Sequence, residues 1–372
     1  MRALWGMLLA LAAFAAAATE TGERTRGRCH FEGEPLYPLL LREHGNRGVV
    51  TMRFYINPRG EVENPEAIAS THPLFERSAV DWLLHQKPCT PWTKDGVPVG
   101  NWVSQTYTFA LRSSGSTARS GVDMDVGEQT FTIGAATKPG LPEEWRYDTP
   151  PEVQYVAPLV YPLPLLLAET SGSARVLFVV DQDGRVRYAR VLESTQPEFG
   201  FALKASLESW RFRPAMRKGK PCLASLQIEQ RFNSRNRETW TDRPTDNLLD
   251  RIRDGKEPFA GLAKLDRRPR ALVHPNPVFP PDRQREGGAG SALIEFIIGA
   301  DGVARLPSIV SADDPSLGWA AATAIARWRF EPPTQEGKPV EVRARIPMEF
   351  KLPEGEAFQL PPGGLPDQPP KP

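Results

Sequence analysis

Apolar residues alternate with polar ones at the end of the chain: Val340, Val342, Ala344, Ile346, Met348 and Phe350 are interleaved with Glu341, Arg343, Arg345 and Glu349. That period of two predicts a strand with one buried face. Upstream, Leu317, Ala321, Ala324, Ile325 and Trp328 follow helical spacing behind Pro315, a residue suited to a first helical turn. Phe199, Leu203, Leu207 and Trp210 repeat that stripe behind Pro197. Before each helix stand two short apolar runs around a turn: Ala174 to Asp181 and Arg185 to Leu192 flank Gln182-Asp183-Gly184. Ala292 to Ile298 before Asp301-Gly302, and Val49 to Ile56 before Pro58-Arg59-Gly60, repeat the hairpin. The unit is therefore β-β-α-β, an α+β fold. A helix of about 12 residues spans about 18 Å, one strand length, and returns the chain to where the second strand began. The third strand then runs parallel to the second and finds an antiparallel neighbour only in the first. The expected sheet is three-stranded and antiparallel, in the order 2-1-3, packed by the helix on one face, with the second and third strands as edges.

Three copies of this unit are legible from spacing. Pro38, Pro162 and Pro280 each stand 22 residues before a turn glycine, Gly60, Gly184 and Gly302, and Pro73, Pro197 and Pro315 each stand 13 residues after it. A second set, Gly96, Gly219 and Gly337, follows the first at 36, 35 and 35 residues. The units are placed at 27–111 (degenerate), 148–234 and 266–352. Residues 112–147 form a linker with the flexible run Ser113 to Ser120, 235–265 a charged linker with a short helix at Asn247 to Arg253, and 353–372 a Pro/Gly-rich tail. Met124 to Ile133 has the composition of an extra strand without an assigned neighbour.

Composition narrows the class. The 46 Lys+Arg against 45 Asp+Glu in 372 residues give a net charge of +1, which lacks the basic excess of a nucleic-acid or anionic-membrane binder. The 38 prolines, about twice the average share, suit a segmented chain. Arg2 followed by the apolar run Ala3 to Ala18 and then Thr19-Glu20 reads as a secretory signal, 1–18, cleaved before Thr19. No later segment is long and apolar enough to span a membrane, so an exported, soluble mature protein is expected. Of the three cysteines, Cys29 falls in the lead-in of the first unit and Cys89 takes the place that Phe212 holds in the second. A Cys29 to Cys89 disulfide is expected, with Cys222 free; closing a loop of about 60 residues would stabilise by about 3 to 4 kcal/mol.

Pro158-Leu159-Val160-Tyr161-Pro162, Asp181 to Gly184, Ser194, Trp210-Arg211-Phe212-Arg213-Pro214 and Gly219-Lys220-Pro221 together resemble the TonB C-terminal domain family. The third copy carries Phe279, Ser311, Trp328 to Pro332 and Gly337 to Pro339, whereas the first has Lys87-Pro88-Cys89-Thr90-Pro91 and no Trp. The resemblance implies a periplasmic module that binds a peptide by adding a strand to its sheet, with TonB-dependent transport as the setting and an outer-membrane receptor as partner. Ala3 to Ala18 holds neither the Ser nor the His of the transducers' membrane helix. The alternative is a structural cell-envelope adaptor with no transport role.

Nothing in the repeats suggests catalysis. His30, His44, His72, His85 and His274 share no repeat position, and Cys29-His30 with His85 and Cys89 fits no compact zinc site. Asp181 to Gly184 lacks the downstream Glu of a calcium loop, since position 192 is Leu. No enzyme, cofactor or metal is expected. Trp210 and Trp328 are read as core, and Arg211 and Arg329 as solvated. The candidate site is the third-strand edge: Val342, Arg343, Ala344, Arg345 and Ile346 in the third copy, with the arginines outward, and Leu223, Ser225 and Gln227 on the outward side of the second, a surface of different chemistry.

Overall fold

The computed structural model describes residues 24–38, 41–42, 46–110, 129–132, 143–235, 241–256, 259–355 and 357–361. The expected signal segment and its cleavage site lie outside them. In the first module β1 (Gly48–Ile56), β2 (Val62–Ser70), α1 (Pro73–Leu84) and β3 (Asn101–Phe109) follow one another. The segment β4 (Gln129–Thr132) and the lead-in strand β5 (Glu152–Tyr155) precede the second module, made of β6 (Gly172–Val180), β7 (Val186–Ser194), α2 (Pro197–Glu208), β8 (Arg211–Arg213) and β9 (Ala224–Phe232). Helix α3 (Arg243–Arg253) leads to the third module, β10 (Gly290–Ile298), β11 (Ala304–Ala312), α4 (Pro315–Ile325) and β12 (Val342–Phe350). The sheets run β2-β1-β3, β7-β6-β9 and β11-β10-β12, antiparallel throughout, which is the order 2-1-3 three times over.

Local chemistry sets the hairpins. Asp181 Oδ1 accepts the N–H groups of Asp183 and Arg185 at 2.9 and 2.8 Å, and Asp181 also pairs with Arg187 at 2.7 Å, so this carboxylate serves the turn. Gly60, Gly184 and Gly302 have φ of +84°, +74° and +78°, and a Cβ there would come within 1.8 to 2.1 Å of the carbonyl oxygens of Cys89, Phe212 and Phe330. Those residues return N–H bonds to the glycine carbonyls at 2.7, 2.8 and 2.8 Å. The chain after each helix is thus pinned to the hairpin turn, and only glycine leaves room for it. Cys89 is the structural counterpart of Phe212 and Phe330, and it is joined to Cys29 by a disulfide. The Tyr-Pro landmark closes the opposite end: Tyr161 packs edge-on against Phe199 and Phe232, which stack at 4.2 Å, just as Tyr37 meets Phe75 and Phe109, stacked at 4.3 Å.

The modules pack against one another through their helices. Val50, Phe54 and Phe75 of the first, Tyr161, Phe178 and Phe199 of the second, and Trp319 on α4 belong to one buried cluster. Ser70 of β2 bridges in parallel to Tyr155 of β5, so β2 is not the free edge that the isolated unit predicts. Charges close the seam. Asp242, the N-cap of α3, pairs with Arg77 on α1 and at 3.1 Å with Arg305 on β11, which is 5% exposed and also bound by Asp301 at 2.6 Å. Burial disfavours the Asp242 carboxylate, but Arg77 and Arg305 outweigh it and hold the carboxyl well below its usual range. Glu76 pairs with Arg327 at 2.9 Å and accepts from the Tyr155 hydroxyl at 3.0 Å, and Asp81 pairs with Arg329 at 3.0 Å. Arg329 is therefore buried, contrary to the solvated reading, and Arg211 is half-buried. Arg329 is covered because Asp81 of the first module pairs with it, while Arg211 folds back onto the Trp210 carbonyl of its own module at 2.8 Å.

The seam yields two predictions. Asp242→Ala leaves Arg77 with the Asp81 carboxylate at 3.9 Å and Arg305 with Asp301 and the Thr245 hydroxyl; it should lower stability by about 3 kcal/mol in urea titration and speed proteolysis between the modules. His72 Nδ1 caps α1 by accepting the Leu74 N–H at 3.1 Å, and burial pushes its pKa down to about 4. Because the folded value lies below the unfolded value of about 6.5, protonation favours the unfolded chain. Stability should be intact above pH 6.5 and fall towards pH 4 by at most about 3 kcal/mol, and His72→Asn, which caps without titrating, should remove that part of the slope.

Candidate partner-binding edges

Each module ends on its third strand, so the site question concerns three rims. Sheet geometry fixes which backbone groups face outward, because successive residues of a strand point their N–H and C=O to opposite sides. The carbonyls of Val49, Ser173 and Ser291 accept the N–H of Thr71, Thr195 and Asp313, the residues that follow the second strands. Those first-strand positions therefore face the second strand, and the alternate ones face the third. In the register of each sheet this turns Trp102, Ser104, Thr106 and Thr108 of β3, Ser225, Gln227, Glu229 and Arg231 of β9, and Arg343, Arg345, Pro347 and Glu349 of β12 outward. Pro347, which has no N–H, falls in the outward set, where none is needed for the sheet.

On β12, Val342, Ala344, Met348 and Phe350 are buried against the helix, Ile346 is half-buried, and Arg343 and Arg345 lie on the other face. Both arginines converge on Glu295 of β10: Arg345 Nε bonds its carboxylate at 2.6 Å and Arg343 Nε stands 3.9 Å away, while the Arg343 guanidinium lies 4.8 Å over Phe259. Arg345 keeps a 60% exposed side chain. The start of this rim is occupied, since Ala260 bridges Val342 in parallel and its N–H donates to the Glu341 carbonyl at 3.0 Å. Beyond it, Pro347 interrupts the row of donors.

On β9 the rim is covered. β4 pairs antiparallel with it, Thr132 opposite Gln227 and Thr130 opposite Glu229. Of the stretch Met124 to Ile133, residues 129–132 form a strand added to the second module, and the rest lies outside the described residues. Leu223 and Ser225 do not form the expected outward surface, being only 9% and 7% exposed. Leu223 packs with Trp145, Leu177 and Val179, and Phe358 and Leu360 of the tail lie on the same cluster. The outward face of this sheet is buried because the linker before the module and the tail after the third module both fold onto it, which no single repeat reveals.

On β3 no strand pairs with the outer side among the described residues. Trp102 is 49% exposed, 5.4 Å from the Tyr55 ring and 4.5 Å beneath the Arg53 guanidinium. Facing the helix, Tyr107 meets Trp82 at 5.1 Å; burial raises its pKa, and among the described residues its hydroxyl has no hydrogen-bond partner. The sequence reading passed over this rim, although the absence of Pro, Lys, Arg, Asp and Glu from Asn101 to Phe109 was a usable signal. Cys29 and Cys89, being joined, offer no thiolate to a metal; Cys222 is free, half-buried, and burial raises its thiol pKa. Among the described residues no group of His, Cys, Asp and Glu could hold a metal, and no helix is long and apolar enough to cross a membrane.

A three-stranded antiparallel sheet in the order 2-1-3, backed by one helix, defines a small α+β module. Residues 33–111, 157–234 and 275–352 match the family described as Gram-negative bacterial TonB protein C-terminal, over more than half of the chain, and the chain belongs to that family. It is 32% identical over 95 residues to the protein TonB of Pseudomonas aeruginosa, a match covering 25% of this chain and 28% of that relative's length. The solution NMR structure of the Pseudomonas aeruginosa TonB C-terminal domain is 26% identical, with 27% of this chain and 100% of that one covered and a TM-score of 0.23.

The direction of the backbone groups gives a prediction on β12. The Ala344 N–H faces β10, so Ala344→Pro should break a sheet bond and destabilise the chain by about 1 to 3 kcal/mol, whereas Arg345→Pro, whose N–H faces outward, should cost clearly less in the same thermal melt.

Proposed function

We propose that this protein binds protein partners of the cell envelope by accepting an extended segment of the partner at a third-strand edge, in the setting of TonB-dependent transmembrane transport. The observation that carries this reading is β4, a segment from outside the second module that lies antiparallel along its third strand at Gln227 to Gln230. The mode of binding is thus one that this sheet already sustains. The modules are taken as 27–111, 148–234 and 266–352, and β12 from Val342 to Ile346 is the rim whose arginines face outward in the third. The Cys29–Cys89 disulfide supports a periplasmic location after export, since such a bond persists in an oxidising compartment. The role is binding, not catalysis: the buried ionic groups join module to module.

The full chain, used as bait for cross-linked envelope extracts, should enrich outer-membrane receptors. Enrichment of peptidoglycan or envelope-assembly machinery in their place would favour the structural adaptor, and capture of neither would reject envelope partner binding.

A further inference from the structure

The three third strands hold the same place in their modules, yet their rims differ in what they offer. We propose that β3 of the first module is the edge that takes the partner, and that the partner segment is extended, uncharged and about five or six residues long, an ordinary strand length. This rests on the strand-addition reading and narrows it to one module and one kind of peptide.

The donor row decides first. Outward on β3 stand Trp102, Ser104, Thr106 and Thr108, each with an N–H and a C=O, and no proline interrupts them. On β12 the corresponding row loses a donor at Pro347 and is entered by Ala260 at its start. On β9 it is filled by β4. Charge decides next. Edge strands are commonly protected by ionic side chains and prolines. β12 carries Arg343, Arg345, Glu349 and Pro347, while Asn101 to Phe109 has none of these types. A charged partner residue would find no counter-charge on the strand itself; the nearby Arg53 sits opposite Glu66 of β2. Apolar surface on both faces favours an apolar or hydroxyl-bearing segment: Trp102 beside Tyr55 on one side, and Tyr107 beside Trp82 on the other, with the shielded Tyr107 hydroxyl still to be satisfied. The chain itself shows the type, for the segment that adds to β9 reads Gln-Thr-Phe-Thr.

The test uses a proline that the fold already accepts. Gly48 pairs with Phe109 as Gly290 pairs with Phe350, so Thr106 occupies the register position of Pro347. Thr106→Pro should keep the circular dichroism of the parent and remove one outward donor. The probe is a capped, fluorescein-labelled peptide of the sequence Gln129 to Gly134, titrated into the full chain by anisotropy. The parent should bind it, Thr106→Pro should bind it at least about tenfold more weakly, and the probe N-methylated at alternate residues, which needs no protein variant, should not bind. Equal binding by Thr106→Pro would overturn the assignment to β3. In that event Pro347→Thr separates the two levels: stronger binding moves the site to β12 and keeps strand addition, while no change, together with binding of the N-methylated probe, rejects strand addition as well. No binding by the parent also overturns the proposal. So does sedimentation equilibrium that finds a dimer in the parent and a monomer in Thr106→Pro, because the rim would then serve a second copy.

Discussion

In each module, a helix of 11 or 12 residues and the short segment after it carry the chain back to the end where the second strand began. The third strand must then run parallel to the second, and it reaches an antiparallel neighbour only on the far side of the first. Everything else in the architecture follows from that return. The first strand becomes the centre of the sheet and is apolar on its helix face, as Val50, Met52, Phe54 and Ile56 are in the first module. The third strand becomes a rim. The glycine turns at Gly60, Gly184 and Gly302 stabilise this path by holding the chain after the helix against the hairpin through paired backbone bonds.

Three such modules do not hang as independent beads. Helix α1 presents Glu76, Arg77 and Asp81 to partners from α3 and the third module, and of these seam charges Glu76, Arg305 and Arg329 are buried while Arg77 and Asp81 stay partly exposed. Taking such charges out of water is costly, and they are tolerated because each meets an opposite charge and further hydrogen bonds. Arg305, held by Asp242, Asp301 and Thr245, is the fullest case. Ionic contacts of this kind depend on direction and distance, so they fix the relative placement of the modules more strictly than apolar packing alone.

A sheet rim is a liability unless something occupies or interrupts it. The three rims illustrate three answers: β9 is filled by β4 and its outer face covered by the tail, β12 is interrupted by Pro347 and lined with charge, and β3 is left neutral and uninterrupted. The most divergent copy in sequence, which lacks the Trp and has Cys89 where the others have Phe, is the one with the neutral, proline-free edge. Its disulfide joins the lead-in to the chain after the helix, so the loss of aromatic packing does not leave that segment loose.

The sequence by itself determined the repeating β-β-α-β unit, its 2-1-3 order and the faces of the final strand. Those features arise within one module, from periodicity, turn residues and the length of a helix, and each is encoded by residues close together in the chain. Val342, Ala344 and Met348 are buried for this reason, and Arg343 and Arg345 lie opposite them. Tertiary structure alone decided which rims remain open and which charges are solvated. Leu223 and Ser225 are covered by residues from outside their module, and Arg329 is buried by Asp81, 248 positions away. Burial is a property of what else occupies the neighbouring space, and strand periodicity carries no information about a distant segment that comes to lie there.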